Sequence, residues 1–597
     1  MPLRRTPLDV PLVAFLLTAG LGVWTAYDRV GALIPGFGVW TLKNRIGVRD
    51  IFPQTTPVGW QALWGVILAV LVFYAFAAMR TKAQHRWALA LLAGLGAMVA
   101  VWFAAANDWT ANEAKLSIVT RLGVAVQTCL PVLSGYWLNT NILGGVIAVL
   151  IPASFGLVAE ISDHNWKQRW PWVAWGLATG AVMALGLVLT TSRGGWMGVG
   201  ISLVLAALWL VGRLRRGRSR LSLFLCLIAG VALVAGVLWA LLPPLRTRFL
   251  TSYTVLDRAG IFVESALLVR DYLFTGYGLG EFAQIHSMYA LLIHVPILPY
   301  AHSLYLDIAL GQGMLGILAA LGVLGGAVWL GLKALACAEE PSPALIAGLL
   351  SLVVMLVHGL VDDPLYISQW LPLLWVPAGL AVAGWREGSA APVPVTRPKR
   401  SRWRVWGTVA VSGAVLLGIF WRPIGATWFA NLGAVYQTWA ELSRYDDNHF
   451  DRPTLDEIRR QIDLSSAERF FLRALALDPG QVTARTRLAE IALSRGQYDQ
   501  ALMHARAAWE AGHRDRVTRL LFGDALVAAG EVEEGVDVVR GLEWAEGRLD
   551  FQAWYRYSLG QDYQRAADAW RAVVALDPQN ERAMHSMAEA EARAKNP

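Results

Sequence analysis

The sequence predicts an all-α membrane protein in two parts: a polytopic bundle of about 11 transmembrane helices over residues 1–423, then an α-solenoid over 424–597. Three observations lead there. Of 597 residues, 56% are hydrophobic and only 16% charged, below the roughly 25% charge of soluble domains. The charges are unevenly placed: residues 1–423 hold 17 Asp/Glu and 31 Lys/Arg, the remainder 27 and 21, for net charges of +14 and −6. Apolar runs crowd the first part, and a short pattern recurs in the second. This split excludes a single soluble domain and a nucleic-acid binder, and the positive excess is the kind that membrane orientation produces. Cys129, Cys226 and Cys337 have no paired spacing, so neither a disulfide framework nor a zinc site is implied, and no cofactor is expected.

A helix needs about 20 apolar residues to cross about 30 Å of hydrocarbon. Such runs lie near 10–27, 58–79, 86–106, 141–159, 172–191, 194–212, 221–243, 304–335, 344–361, 369–385 and 405–423. The first has no small-residue cleavage site before the next run, so it is expected to stay as a helix rather than be removed. With eleven spans the basic clusters fall on one face: Arg4 and Arg5; Arg80, Lys82 and Arg86; Lys167 and Arg169; the run RLRRGRSR (213–220); and Arg397, Lys399, Arg400, Arg402 and Arg404. The positive-inside rule makes that face cytoplasmic, the N-terminus with it, and places the loop 244–303 and the C-terminal part outside the cytoplasmic (inner) membrane. The parity requires 107–140 to be an outer-side or re-entrant loop. Arg121, Gln127 and Pro131 favour that over a twelfth span at 118–137, which would put basic loops on both faces.

In the last part, SRGQYDQAL (494–502), AAGEVEEGV (528–536) and SLGQDYQRA (558–566) align on Gly496, Gly530 and Gly560, and Asp-Pro follows at 478–479 and 577–578. A glycine turn at a period near 34 with a terminal Asp-Pro is the tetratricopeptide pattern of paired helices. Three to four repeats bury a common core and present a concave face suited to an extended peptide or a partner helix. The net negative charge favours a basic protein partner, and the repeats are expected to be dispensable for chemistry.

Candidate chemistry gathers in the outer loop. An amphipathic stretch, 257–274, precedes the glycine turn GYGLGEF (276–282), then His286, His294 and the run PYAHSLYLDIALGQGMLG (299–316). GYGLGEF has glycines to cradle a phosphate but no strand before it. Arg193 emerges on the outer side, where the orientation rule disfavours arginine. It is read either as an anion ligand or as an interfacial anchor whose stem snorkels. His302 at the mouth of a long span is either a helix-end histidine or a general base, since neutral imidazole accepts a hydroxyl proton near working pH. His286 and His294 are secondary candidates in the same loop. Asp362 and Asp363 either orient a base or bind sugar hydroxyls, or they form a turn and cap.

The ordered set SRGGW (192–196), DRAGIF (257–262), GYGLGEF and AHSLYL (301–306), followed by a Gly-rich span, resembles the signature block of the bacterial O-antigen ligase and polymerase superfamily, over about 190–320. The resemblance implies a metal-independent membrane glycosyltransferase. It would move a glycan from an undecaprenyl-diphosphate carrier to an acceptor hydroxyl on the periplasmic side: a lipid core, a growing polysaccharide or a protein. By position it implies that Arg193 and Arg258 bind the diphosphate and that His302 is the base. Guanidinium groups suit that task because they stabilise a charged leaving group bidentately. Ser303 stands where the family often has asparagine. Two other classes remain: a glycan transporter, which expects ionisable residues lining midplane helices, and a non-catalytic envelope scaffold built on the repeats.

Overall fold

The computed structural model describes residues 5–26, 59–109, 116–130, 139–159, 166–214, 257–293, 297–338, 340–388, 402–444 and 454–595, among which there is no strand. In chain order the helices are α1 Asp9–Thr25, α2 Gly59–Ala77, α3 Lys82–Ala106, α4 Ser117–Gln127, α5 Thr140–Val158, α6 Trp166–Thr190, α7 Arg193–Leu214 and α8 Arg258–Asp271. They continue as α9 Phe282–His286, which runs on as a π-turn to Leu291, then α10 Leu304–Cys337, α11 Pro343–His358, α12 Val376–Gly388 and α13 Arg402–Leu442. The last are α14 Leu455–Gln461, α15 Ser465–Leu477, α16 Val482–Ser494, α17 Tyr498–Glu510, α18 Arg516–Ala528, α19 Val532–Val539, α20 Ala545–Phe551, α21 Tyr563–Leu576 and α22 Glu581–Lys595. Two compact units result: Met1–Pro244 with Thr275–Phe282 and Pro299–Thr396, and Leu245–Phe274 with Ala283–Leu298 and Arg397–Pro597.

In the first unit, α2, α3, α5, α10 and the Trp170–Thr190 part of α6 are long and apolar enough to cross a membrane, and α1, α11 and Arg193–Trp209 of α7 are shorter apolar helices. Their hydrophobic residues divide by environment. Leu17, Trp64, Leu91, Leu318 and Trp329 are exposed, as lipid-facing side chains are, whereas α5 is buried along most of its length against α3, α6, α7 and α11. No water competes for apolar surface within a bilayer, so close backbone approach through small residues holds such helices together. Gly186 of α6 meets Ala100 of α3 in this way.

Two expected spans come out differently, and the segment 118–137, expected not to span, holds only a short helix. The run 369–385 is not one helix: α12 begins only at Val376, after a short 3-10 turn at Leu371–Leu373. Pro372 and Pro377 lack the N–H groups that a continuous helix would need, and the Ser368 hydroxyl instead takes up the carbonyl of Pro364. The run 405–423 does not stop at its apolar end, because α13 passes through Pro423 to Leu442. The boundary expected at 423/424 therefore falls inside a helix. Within 118–137 the described helix is α4, 11 residues long, too short to span. The run 221–243 and the basic residues 215–220 and 397–401 lie outside the described residues.

In the second unit three helical hairpins, α16/α17, α18/α19 and α20 with its π-helical continuation Gln552–Ser558 against α21, turn at the three aligned glycines. Gly496 and Gly530 adopt left-handed φ of +73° and +89°, which only glycine takes without strain. At the third turn the left-handed residue is Gln561, φ +61°, one position beyond the aligned Gly560. The spacing shortens from 34 to 30 because α19 has 8 residues where α17 has 13. Asp478 and Asp577 close α15 and α21 by accepting from the N–H groups of Gly480 and Gln579, both at 3.0 Å. Segments 258–274 and 283–293, expected to belong to the membrane part, cluster with these hairpins instead.

Candidate functional site

The first unit assembles a site at one end of α10. The chain enters that helix through a tight turn in which His302 is left-handed, φ +54°. Ser303 Oγ and the Leu304 N–H both donate to the Gly359 carbonyl, at 3.2 and 2.9 Å. Asp307 Oδ1 accepts from the Ala301 N–H at 2.9 Å. These bonds pin the turn to the loop that follows α11. The serine that departs from the family pattern is buried and has a bonding role of its own in holding this turn.

That loop carries Asp362, whose Oδ1 lies 3.4 Å from His302 Nδ1. Asp362 is buried and His302 is 19% exposed on its side chain. A carboxylate only accepts, so the bond is made by Nδ1–H, and in a neutral imidazole so oriented Nε2 carries the lone pair. The imidazole also lies on the Tyr300 ring, centroids 4.2 Å apart, and Tyr300 Oη accepts from Asn139 Nδ2 at 3.2 Å. Asp363 turns the loop: its Oδ1 accepts from the N–H groups of Leu365 and Tyr366 at 3.2 and 2.8 Å. Burial pushes its carboxyl up to about 7, against the lowering effect of those amide bonds. Below the turn, Tyr300, Asp307, Tyr277 and Tyr366 line a small cavity, and Asp307 Oδ2 has no hydrogen-bond partner among the described residues.

Arg193 reaches the same end of the unit. It is the first residue of α7 and follows Thr191, another left-handed residue, φ +50°. Ser192 caps the helix by accepting from Gly195 N–H at 3.3 Å. The glycines of SRGGW are required by close approach: a Cβ on Gly194 would lie 2.9 Å from Val361 Cγ2 and from His358 Cδ2. The arginine turn thus packs directly beside the residues leading into Asp362. Arg193 itself is exposed and makes no ion pair among the described residues. Its charge stands at the positive end of a helix dipole, an arrangement that favours an anion there.

The other expected residues have different settings. GYGLGEF is not a phosphate cradle: Gly276, Gly278 and Gly280 are left-handed, but the N–H groups of Tyr277 and Leu279 are taken up by the carbonyls of Leu310 and Gly22. Arg121 is exposed on α4. Arg258 begins α8 in the second unit, where Asp257 caps the helix through Gly260 N–H at 2.8 Å. His286, in the same unit, is fully buried with Nε2 3.1 Å from Glu264 Oε2, an enclosed contact rather than an accessible base. His294 lies outside the described residues. Sequence reasoning missed Asp307, Tyr300 and Asn139. The signal for Asp307 was present, an acid in the first turn of a helix just after the histidine; the contact from Asn139 joins residues 161 positions apart and had none.

The family model for O-antigen ligase matches residues 178–321, covering Arg193, Arg258 and His302. No curated protein matches the chain. The match supports a membrane glycosyltransferase-like activity of the ligase or polymerase type, with a lipid-linked glycan as substrate.

Proposed function

We propose that the protein transfers a glycan from an undecaprenyl-diphosphate carrier to an acceptor hydroxyl on the periplasmic face of the inner membrane, in the manner of an O-antigen ligase. The observation that carries this reading is the His302–Asp362 pair at 3.4 Å, whose histidine lies on the family-matched segment 178–321. His302 Nε2 takes the proton of the acceptor hydroxyl as its oxygen attacks the anomeric carbon. Asp362 holds the ring in the required tautomer and stabilises the imidazolium that forms. The glycosidic bond to phosphate breaks, and the negative charge passes to the diphosphate, which Arg193 meets at the α7 N-terminus. Arg258 is assigned to the same diphosphate on the strength of the motif. The C-terminal hairpins are read as tetratricopeptide repeats outside the membrane.

Ligation to a lipid core, repeat-unit polymerisation and transfer to protein share this donor chemistry, and ligase-like transfer is favoured by the family match. The purified protein, given lipid-linked glycan and each acceptor class in turn, should release undecaprenyl diphosphate together with a product from one class. Arg193→Lys should weaken transfer because a point charge does not reproduce the planar fork. Turnover unchanged by Arg193→Ala would remove the diphosphate role.

A further inference from the structure

Several buried or half-buried charges of the second unit's helical hairpins are directed at the segments 258–274 and 283–293. From α16, Arg487 is 3% exposed and places Nη2 3.1 Å from Asp271 Oδ2 while its guanidinium lies 3.4 Å over the Tyr289 ring. Thr483 Oγ donates to the other oxygen of Asp271 at 2.8 Å. From α18, Arg516 reaches Glu264 Oε1 at 3.4 Å and donates to the Ala290 carbonyl at 2.9 Å. Asp515, at the start of the same helix, pairs with Arg270 at 3.1 Å. From α20, Arg548 donates to the Leu292 carbonyl at 3.0 Å. Each of these residues has a partner in α8 or in the segment 283–293, the two pieces of the outer loop; Arg548 also pairs with Asp524 of α18 at 2.7 Å, and Asp515 accepts from Thr518. Tyr289 completes the set by donating to Glu441 of α13 at 2.9 Å, and burial, reinforced by Glu441, holds its phenol well above the ordinary value so that it stays a donor.

The hairpin face expected to receive a foreign peptide is therefore occupied by the chain's own loop. Buried ion pairs constrain geometry because an unmatched charge in such a site is strongly disfavoured, and α8 is held in this way along its middle and its C-terminal end. Its N-terminal residue is Arg258. We infer that the C-terminal hairpins are the receptor for this loop in cis, with Arg487 and Arg516 as positioning residues that fix α8 so that Arg258 is presented to the donor diphosphate. This rests on the assignment of Arg258 to that diphosphate. The repeats become part of the enzyme rather than an adaptor appended to it.

The test uses the full chain in lipid nanodiscs, with two measurements on Arg487→Ala, Arg516→Ala and the milder Arg270→Gln. Arg270 is half-buried in its pair, so the last variant is expected to fold even where the others do not. Hydrogen exchange should accelerate across 258–291 while α17 and α21 remain protected. The affinity for undecaprenyl diphosphate should fall about tenfold for the first two and less for the third. Arg258→Ala should weaken the same affinity without changing exchange in α16 and α18. Unchanged exchange at 258–271 in folded variants overturns the clamp. Faster exchange with unchanged affinity, where Arg258→Ala does weaken binding, overturns the positioning role alone. Unchanged affinity in Arg258→Ala removes the diphosphate assignment, and the exchange result then decides the clamp by itself.

Discussion

His302 combines a left-handed backbone, φ +54°, with a ring fixed by a carboxylate on one side and a tyrosine face on the other. A non-glycine residue in that region is held against a cost of about 1 kcal/mol or more, and such residues persist where their surroundings over-determine them. Here the bonds from Ser303, Leu304 and Asp307 do so. A general base contributes about 10²- to 10⁴-fold, so His302→Ala should lose that much transfer while still binding undecaprenyl diphosphate. Asp362→Asn removes a charge-assisted bond of about 1.5–3 kcal/mol and should slow transfer about 10- to 150-fold, measured as single-turnover rate. Asp363 gives a separate, pH-dependent signature. Its pKa is raised to about 7 by burial, above an unfolded value of about 3.9. The stability it contributes is complete below the unfolded value and is lost as pH rises through the folded one. Asp363→Asn keeps an oxygen for the two amides without the titration. Its unfolding midpoint should therefore exceed that of the parent at pH 8 and coincide with it at pH 4; a gap independent of pH would contradict the assignment.

Among the elements, those readable from the sequence were the ones whose pattern is local. The apolar runs that became α1, α2, α3, α5 and α10 carry their own signal in about 20 residues, and the hairpin turns carry theirs in a glycine. The run 369–385 misled because hydropathy does not register the missing N–H groups of two prolines, and the run 405–423 because it does not register where a helix continues as a polar one. The third hairpin shows the same limit at finer grain, since Gly560 aligns but Gln561 takes the left-handed conformation. Gln561→Gly should then stabilise the protein by up to about 1 kcal/mol, seen as a higher unfolding midpoint. Gly530→Ala, at φ +89°, should destabilise it by about 1–2 kcal/mol. Equal small effects at both positions would mean that neither turn is constrained as described.

For the whole molecule, the division of charge was legible from composition alone, +14 against −6. The route of residues 257–293 was not. Residues 258–274 and 283–293 are some 200 positions from the hairpins they join, and their buried partners, Asp271 with Arg487 and Glu264 with Arg516, are ordinary charged residues on amphipathic helices when read in sequence. The proposed orientation rests on the basic clusters: a cysteine placed at Ser219 should resist an impermeant reagent in intact spheroplasts, and labelling there would reverse the topology and the side on which the site acts. The proposed function turns on His302 as the base of a glycan transfer from lipid diphosphate. Purified protein mixed with undecaprenyl-diphosphate-linked glycan and a competent acceptor, with product followed over a single turnover in wild type and His302→Ala, tests this role. Product should form in the first and at a rate lower by at least about 100-fold in the second, with undecaprenyl diphosphate still bound; equal rates would contradict the role of His302 as base.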